Sequence, residues 1–485
     1  MILLGAGLIL SLGGCATYST KLANLRPELV DGEFDQALET VEKETGKKDR
    51  LLYYLERGMI LHFADRWVES NEVFVEAEIL ADDLFTKSIS EGVLSLFTND
   101  TANSYRARPF EMAMVPYYKA LNYVYLGQRD EAQVEARRST EMLAKYVDAT
   151  LEGIRDQDKS RLEMTRNNAF MLYFSGMLFD WDGELNDAFI SYRNAAAAFQ
   201  ANHGVLGLDI PPSLAADLRR LAARLGFHTE LDEIRKTCPA VFAAPRNRTK
   251  KTTDNSPASP GDFEAAAGWQ SGHGEVVLLL EEGFIPQKTQ VRIDIPIFEG
   301  ETYEDPDYWS WELYAGMGEM QAFSSGRKIE YWMSMAFPEL NAQPRSIAGA
   351  RISAGIAGSH AITSQVENLN EAALITFEAE KPSIFFRTIL RGLTKYLATR
   401  GVKKKAGVWG GVAANLFGSV SEKADTRSWL TLPRGVHLAR LSLPAGNYNL
   451  KLELLDGRGR AVESRTLSGV QVRAGDWTFL SQRVF

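Results

Sequence analysis

Few side chains in this sequence have the types and spacing that catalysis requires. The six histidines show no metal-ligand spacing, and no HExxH, CxxC, GxSxG or phosphate-binding Gly-Lys-Ser/Thr motif occurs. Neighbouring carboxylates such as Glu281 and Glu282, or Glu301 and Glu304, would serve acid–base hydrolysis only if folding sets them at a suitable separation. We therefore expect no enzymatic activity, no cofactor and no metal site.

The segment ADTRSWLTLP at 424–433 is the strongest candidate for a binding site. In an extended strand Asp425, Arg427 and Trp429 share one face, where an ion pair beside an indole ring suits a sugar or a peptide. The alternative is that Asp425 and Arg427 pair with neighbouring side chains while Trp429 fills the core. The tendency of tryptophan to be buried in β-rich domains favours this alternative.

Cys15 is a candidate for lipidation. The apolar run from Ile2 to Leu12 has the length of a signal-peptide core and is shorter than the roughly 20 residues of a membrane-spanning helix. It ends in Leu12-Gly13-Gly14-Cys15, which resembles the bacterial lipobox, whose cysteine receives diacylglycerol before cleavage. No basic residue precedes the run, which departs from the usual pattern. The alternative is a buried N-terminal strand with an incidental cysteine.

Composition and charge limit the classes of protein to which this chain can belong. The chain of 485 residues carries a formal charge of −9, which argues against nucleic-acid binding because phosphate contacts need a basic surface. Its length exceeds what one hydrophobic core usually serves. Cys15 and Cys238 are the two cysteines, too few for a disulfide framework. With Cys15 acylated, we expect Cys238 to be buried.

Three stretches of the first half share a spacing of small and aromatic residues that is typical of paired helices. Small residues let two antiparallel helices approach, and aromatic residues fill the space between them. The members are Tyr54, Gly58, Leu61, Ser70, Phe74 and Ala77 in the first stretch, Ala120, Tyr123, Ala132, Ala136 and Ser139 in the second, and Leu172, Gly176, Phe179, Ala188, Tyr192 and Ala195 in the third. The spacing resembles that of tetratricopeptide repeats.

These stretches predict a stack of helical hairpins. Such stacks usually present a concave groove that binds a peptide or a partner protein. Two features depart from the repeat: Pro116 stands where an aromatic residue is usual, and the copies are separated by more than the repeat length of about 34 residues. A generic helical bundle with small residues at its crossings is the alternative. A further helical hairpin is expected at 213–236.

A change of composition at 244–263 predicts an exposed linker. This stretch is rich in Pro, Ser, Thr, Asn and basic residues and has no apolar period. Beyond it, apolar or alternating runs at 274–283, 289–298, 328–340 and 437–467, and the final DWTFLSQRVF, predict strands. The run at 437–467 contains a turn at Pro-Ala-Gly-Asn and a hairpin at Asp456 to Gly459. It resembles small β-sandwich modules of envelope proteins.

A helix is predicted at 382–400, within the β-rich half. Its apolar residues Ile384, Ile389, Leu393 and Leu397 lie roughly on one side, with Arg387, Arg391 and Lys395 on another. A glycine-rich stretch with a basic triplet follows at 401–420, where helix propensity is poor. Both segments either lie on a membrane surface or pack on the sheet with their lysines in solvent, and we favour packing.

The chain as a whole resembles a family of Gram-negative outer-membrane lipoproteins with tetratricopeptide-like repeats. The matching phrases are YYKALNYVYLGQRDEAQVEARR (117–138), GEVVLLLEEGFIP (274–286), RTILRGLTKY (387–396) and ADTRSWLTLP (424–433). Ala16, where an aspartate would signal retention, resembles the sorting pattern of outer-membrane lipoproteins. The resemblance implies a lipid-anchored, periplasm-facing protein but brings no established activity.

The sequence therefore predicts a multidomain chain with an all-α tetratricopeptide-like domain and an α+β domain that is mostly an antiparallel β-sandwich. We expect a lipid-anchored scaffold or adaptor that binds an envelope protein through its repeats and the membrane through its acyl chains. The alternatives are a peptidoglycan- or polysaccharide-binding module that uses exposed aromatic side chains and, by analogy, a regulator of cell-wall synthesis. The predicted segments are a signal peptide at 1–14, a lipidated tether at 15–24, the helical domain at 25–240, a linker at 241–272 that lets the halves move, and the β-rich domain at 273–485.

Overall fold

The computed structural model describes residues 17–90, 103–152, 156–242, 271–298, 329–342, 345–356, 359–421 and 423–485. The predicted signal peptide, the lipobox residues Leu12, Gly13 and Gly14, Cys15, and 243–270 of the predicted linker lie outside these residues. The described part consists of an N-terminal helical region and a C-terminal region of mostly antiparallel sheets, which confirms this level of the predicted fold.

The N-terminal region consists of consecutive helices that pack largely as antiparallel pairs. Asn168 caps one of them by accepting the backbone N–H of Met171 at 3.0 Å, and Gly183 ends the same helix in the left-handed conformation, with φ 85°. The helices are α1 (Tyr18–Lys21), α2 (Leu25–Val30), α3 (Phe34–Glu44), α4 (Arg50–Phe63), α5 (Trp67–Ser90), α6 (Pro109–Tyr125), α7 (Arg129–Glu152), α8 (Asp156–Met164), α9 (Ala169–Asp182), α10 (Leu185–Leu206), α11 (Pro212–Leu225) and α12 (His228–Thr237).

The three stretches with repeated spacing coincide with the helix pairs α4–α5, α6–α7 and α9–α10. A Cβ added at Gly58 would lie 2.6 Å from the Phe74 ring, and one at Gly176 would lie 2.5 Å from Tyr192. Glycine is therefore required where an aromatic side chain of the second helix lies flat against the first. In the middle pair, α6–α7, Ala136 stands at the position of the aromatic residue and Ala120 at the position of the glycine.

The remaining members of the three stretches lie on the same helix pairs. Leu61, Ser70, Ala77, Ala132, Ser139, Phe179, Ala188 and Ala195 are buried, and Tyr54, Tyr123 and Leu172 are half-buried. The Ser70 hydroxyl donates to the Gly58 carbonyl oxygen at 2.8 Å, which ties the second helix to the first at their closest approach. These residues thus lie along the packing surfaces of the helical region.

The C-terminal region contains three sheets and one long helix among its described residues. The sheets have strand orders β10-β1-β7-β6, β2-β3 and β5-β4-β8-β9, and their pairs are antiparallel except for β1 with β10. The strands are β1 (His273–Glu282), β2 (Gln287–Phe298), β3 (Ile329–Asn341), β4 (Gly349–Ser353), β5 (His360–Ile362), β6 (Ser364–Glu367), β7 (Gly435–Pro444), β8 (Gly446–Leu455), β9 (Ala461–Val472) and β10 (Trp477–Val484).

Strand β1 is buried on both faces, which explains its continuous apolar run. Val277 and Leu279 join the core formed with the helices, whereas Val276, Leu278 and Leu280 join a second core with the β4–β8–β9 sheet. The two four-stranded sheets thus contribute to one apolar cluster. A central strand with a layer on each side reads as uniformly apolar rather than alternating.

The predicted strands at 274–283, 289–298, 328–340 and 437–467 and the final strand are confirmed, but their connections differ in part. The hairpin at Asp456 to Gly459 joins β8 and β9 as predicted. By contrast, the turn after Pro444 joins strands of different sheets, because β7 pairs with β1 while β8 pairs with β4 and β9. The short strands β4, β5 and β6 escaped sequence analysis because they are only three to five residues long.

A single helix, α13 (Leu369–Ser421), replaces the shorter helix predicted at 382–400. It begins earlier, contains Pro382, and continues through the glycine-rich stretch where we expected poor helix formation. It packs on β3 as favoured, with Ile389 and Leu393 against Met333, Met335 and Phe337. Of the predicted apolar side, Leu397 is instead exposed, and Arg391 on the other side is buried.

The helical and β-rich regions share one hydrophobic core. Glu56 in α4 accepts the backbone N–H of Leu430 at 2.6 Å, and the Tyr118 hydroxyl in α6 donates to Glu281 of β1 at 3.2 Å. These contacts join residues more than 160 positions apart. The two regions therefore pack against each other across the described residues.

Helix α9 completes a surface on which the β-rich region lies. The ring of Phe174 contacts Phe479 of β10 with centroids 6.3 Å apart, and the indole N–H of Trp181 donates to Asp476 at 2.8 Å. The first helices of all three pairs thus face this chain's own C-terminal region. The sides of these helices that contact the C-terminal region are therefore not exposed in the described structure.

Candidate functional site

The structure places Asp425, Arg427 and Trp429 in a segment without regular secondary structure rather than in an extended strand. The Arg427 guanidinium pairs with Asp425 at 2.8 Å and with Asp49 at 3.1 Å. The Trp429 side chain is 0 % exposed and packs edge-on against Phe74, with centroids 6.0 Å apart. This arrangement agrees with the alternative in which the ion pair is internal and the tryptophan fills the core.

The adjacent carboxylates of β1, Glu281 and Glu282, have different partners. Glu281 accepts from Tyr118 and pairs with Arg483 at 3.4 Å, whereas Glu282 lies 2.6 Å from the Nε2 atom of His437. Successive side chains of a strand point to opposite faces, so the two carboxylates have separate surroundings. Glu301 and Glu304 lie outside the described residues.

Cys238 is buried, as we expected of an unpaired cysteine. Its thiol lies 3.5 Å from the carbonyl oxygen of Ala196, and burial raises the pKa of the thiol. A buried, protonated thiol is a poor nucleophile. Over the part of the chain that the structure describes, no group of three or more His, Cys, Asp or Glu side chains is placed to hold a metal ion.

The strongest candidate site is a cavity of about 160 Å³ between the helical region, the β2–β3 hairpin and α13, which we call the cationic cavity. Six basic side chains and the carboxylate of Asp425 are the charged groups among the described residues that line it. The basic residues are Arg106, Arg108, Lys288, Arg387, Arg391 and Arg427. This concentration of positive charge occurs in a chain of net charge −9.

The segment before α6 is fixed by a buried carboxylate. Glu111, in the first turn of α6, accepts the backbone N–H of Arg108 at 2.7 Å and the hydroxyl of Tyr105 at 2.6 Å. Its other oxygen accepts the backbone N–H of Trp429 at 2.9 Å. Glu111 thus sets the positions of Arg108 and of the segment that carries Arg427, although the two are more than 300 residues apart in sequence.

Two of the arginines are engaged by carboxylates. Arg108 pairs with Glu380 of α13 at 2.8 Å, and Arg427 is held by Asp425 and Asp49. Burial tends to raise the pKa of the Asp425 carboxyl, but the hydrogen bond and charge of Arg427 outweigh it and hold that pKa below its ordinary value. These pairs keep both guanidinium groups fixed in the cavity wall.

Lys288 differs from these arginines. Its residue is 8 % exposed, and among the described residues its ammonium has one hydrogen bond, to the carbonyl oxygen of Arg427 at 3.3 Å, and no ion pair. Burial, and then the nearby positive charge of Arg108, lower the pKa of Lys288 to about 8. An ammonium has three donors, so Lys288 retains capacity for an anionic acceptor.

Helix α13 supplies the third wall. Arg387 and Arg391 are one turn apart and both line the cavity, and Nη2 of Arg391 donates to the Thr388 hydroxyl at 3.1 Å. Arg391 is buried although it belongs to the basic side of the helix rather than to the predicted apolar side. Its burial follows from the packing of α13 on β3.

A second cavity, of about 310 Å³, adjoins the first, and we call it the apolar cavity. Arg106, Arg108 and Arg387 line both cavities. The other described residues of the second lining are mostly apolar and come from α4, α5, α7, α13 and the 103–108 segment. They are Leu51, Ala81, Leu84, Phe85, Ala107, Tyr146 and Ala149, with Thr150, Glu380 and Ser383 as the polar members.

The chemistry of the cationic cavity is that of anion binding. Guanidinium and ammonium groups are the preferred partners of phosphate and carboxylate groups. Sequence analysis identified Asp425, Arg427, Arg387 and Arg391 but did not bring them together. It missed Arg106, Arg108 and Lys288, because these residues lie on separate elements. The one signal was the RARP stretch directly before α6.

No protein-family model, curated protein sequence or solved structure matches this chain significantly. In the described residues no helix is long and apolar enough to cross a membrane.

Proposed function

We propose that this chain is a non-catalytic, lipid-anchored envelope protein that binds an anionic group, a phosphate or a carboxylate, in the cationic cavity. The observation that carries the proposal is Lys288, a buried ammonium in a wall of arginines with one carbonyl acceptor among the described residues. Burying a cation without a partner is unfavourable, and a bound anion supplies that partner.

The helical region serves in this proposal as the platform that holds the site. Its first helices lie against the β-rich region, and α6 carries the residues that position Arg108. The finer architecture that we propose is a set of tetratricopeptide-like hairpins against a β-sandwich. An envelope protein partner, if one binds, would use surfaces other than the covered first helices.

Among the described residues of the β-rich region, exposed aromatic side chains give the glycan-binding alternative little support. Trp429 and Trp477 of the β-rich region are buried, and Phe485 is the one large aromatic exposed in the described part of that region. A stacking platform for sugar rings needs an open aromatic face. The anionic groups of envelope polymers are instead included among the candidate ligands of the cationic cavity.

Titration calorimetry with inorganic phosphate tests the proposal. We expect the full chain carrying Cys15→Ser to bind phosphate and the same chain with Lys288→Met to lose most of that affinity. Binding should weaken as the pH rises above about 8, because Lys288 then loses the proton that attracts the anion. Lys236→Met, at an exposed position of α12, is the control for the change in net charge. Absence of binding by both phosphate and acetate, or equal phosphate binding by the Lys288→Met variant, refutes the proposal.

The anchor is tested separately by intact mass. We expect the protein from its native membranes to lack residues 1–14 and to carry acyl chains, and a Cys15→Ser variant to carry none. An unmodified full-length mass contradicts the envelope location. This result would leave the anion-binding proposal to stand on calorimetry alone.

A further inference from the structure

The two adjoining cavities differ in chemistry but share a wall. The cationic cavity is lined mainly by charged and polar side chains, whereas seven of the described residues around the apolar cavity are Leu, Ala, Phe or Tyr. Arg106, Arg108 and Arg387 stand between them. A ligand that fills both cavities must therefore have an anionic end and an apolar end.

We infer that the ligand is an amphipathic anion whose phosphate or carboxylate head lies in the cationic cavity and whose alkyl chain enters the apolar cavity. This inference rests on the proposed function and names its ligand class. Leu51 and Ala81 in the apolar wall are almost fully buried, and Leu84 and Phe85 are half-buried beside them. Such a wall gains free energy by excluding water with an alkyl chain.

The volumes fit this division. The cationic cavity, at about 160 Å³, suits a small head group, and the apolar cavity is about twice as large, at about 310 Å³. Small-molecule sites usually combine a mainly apolar lining with a few polar groups that fix orientation. Here the shared arginines are those groups, because they stand where the head would join the chain.

The proposed anchor brings the cavities within reach of a membrane. Tyr18 is buried, and burial, then the charges of Glu56, Asp49 and Glu111, raise the pKa of its hydroxyl while Arg427 opposes the change. Tyr18 thus lies in the electrostatic field of residues at the site. Two residues, Ala16 and Thr17, separate it from Cys15, so the two are at most about 11 Å apart along an extended chain. Lipids with anionic head groups would therefore lie close to the cavities.

The test compares methyl phosphate with hexyl phosphate in the full chain carrying Cys15→Ser, which has no acyl chain of its own. Each methylene that is buried should tighten binding about fourfold, so we expect hexyl phosphate to bind at least about tenfold more tightly. Ala149→Phe, which narrows the apolar cavity, should abolish this advantage. Ala201→Phe, at an exposed position of α10, is the matched control.

The possible outcomes test the amphipathic ligand and anion binding separately. Equal affinity for the two phosphates overturns the amphipathic ligand but leaves anion binding in place, whereas failure of both to bind overturns both. Hexyl phosphate binding that survives Lys288→Met also overturns the inference, because the head group would then not use the cationic cavity. The chain-length comparison needs no substitution in either cavity, so it stands even if Ala149→Phe fails to fold.

Two further arms identify the source of the ligand. Hexanoate in place of hexyl phosphate distinguishes a carboxylate head from a phosphate head. Cosedimentation with phosphatidylcholine vesicles, with and without phosphatidic acid, distinguishes a membrane lipid from a free monoalkyl anion. Phosphatidic-acid-dependent sedimentation that Lys288→Met removes assigns the ligand to the membrane, and binding of hexyl phosphate alone assigns it to the free form.

Discussion

Replacing Lys288 by methionine should stabilise the ligand-free protein at neutral pH. The fall in the pKa of Lys288 from 10.5 to about 8 means that the folded protein holds the charged form unfavourably. This difference corresponds to a free energy of about 3 kcal/mol. Because the residue is only 8 % exposed, solvent screens little of this effect. Methionine has similar length and no charge, so it should remove the penalty.

The pH dependence gives the sharper result. Below about pH 8 the lysine is charged in both states, and folding bears the full penalty. Between about 8 and 10.5 the unfolded chain binds more protons than the folded chain, so the stability of the unsubstituted protein rises with pH. The advantage of Lys288→Met should therefore fall from about 3 kcal/mol at pH 7 towards zero above pH 10.5.

Urea unfolding followed across this pH range measures the effect. The difference between variant and unsubstituted protein isolates the Lys288 contribution, because other titrating groups cancel. Lys236→Met should change the free energy of unfolding by less than about 0.5 kcal/mol at every pH. A Lys288→Met variant that is less stable than the unsubstituted protein, or more stable by an amount independent of pH, refutes the argument that the ammonium is buried without adequate compensation.

Three further substitutions test the packing that holds the site. Glu56→Ala leaves two buried backbone N–H groups of the C-terminal region without their acceptor. It should reduce the free energy of unfolding by about 3 kcal/mol, and a loss below about 1 kcal/mol would contradict this contact. Gly58→Ala forces a methyl group into the Phe74 ring and should cost about 1–3 kcal/mol, whereas Gly204→Ala, a control with open space around it, should stabilise slightly. Trp429→Ala should cost about 3–5 kcal/mol without changing phosphate affinity, and selective loss of binding would restore Trp429 as a ligand contact. Urea unfolding measures the change in stability of all three variants, and calorimetry measures the phosphate affinity of Trp429→Ala.

The sequence predicted secondary-structure elements well where the pattern of residue types follows directly from how the element is buried. The run that became β1 is apolar throughout because the strand has a layer on each face, and Gly58 marked a helix crossing because Phe74 lies against it. Both signals are local in sequence. Helix α13 was only half recognised, since glycines lower helix propensity in its second part.

The candidate site could not be predicted in the same way, because its parts come from distant elements. Lys288 and Arg427 are 139 positions apart, and Arg108 and Glu380 are 272 apart. Lys288, Arg108 and Glu380 each look like an ordinary surface charge when the sequence is taken alone. Only the packing of α13 on β3, and the contact of Glu111 with the segment before Trp429, brings them to one cavity.

Net charge is a poor guide to such a site, and the reason is the range of electrostatic forces. From the charge of −9 we predict no binding of an extended polyanion such as nucleic acid, because a long ligand samples the whole surface. At physiological ionic strength, however, exposed charges are screened beyond about 8 Å, whereas buried charges are screened much less. A small anion inside the cationic cavity therefore experiences Lys288 and its neighbouring arginines more strongly than the acidic surface. An acidic protein can thus bind a single phosphate or carboxylate while it repels a polymer of them.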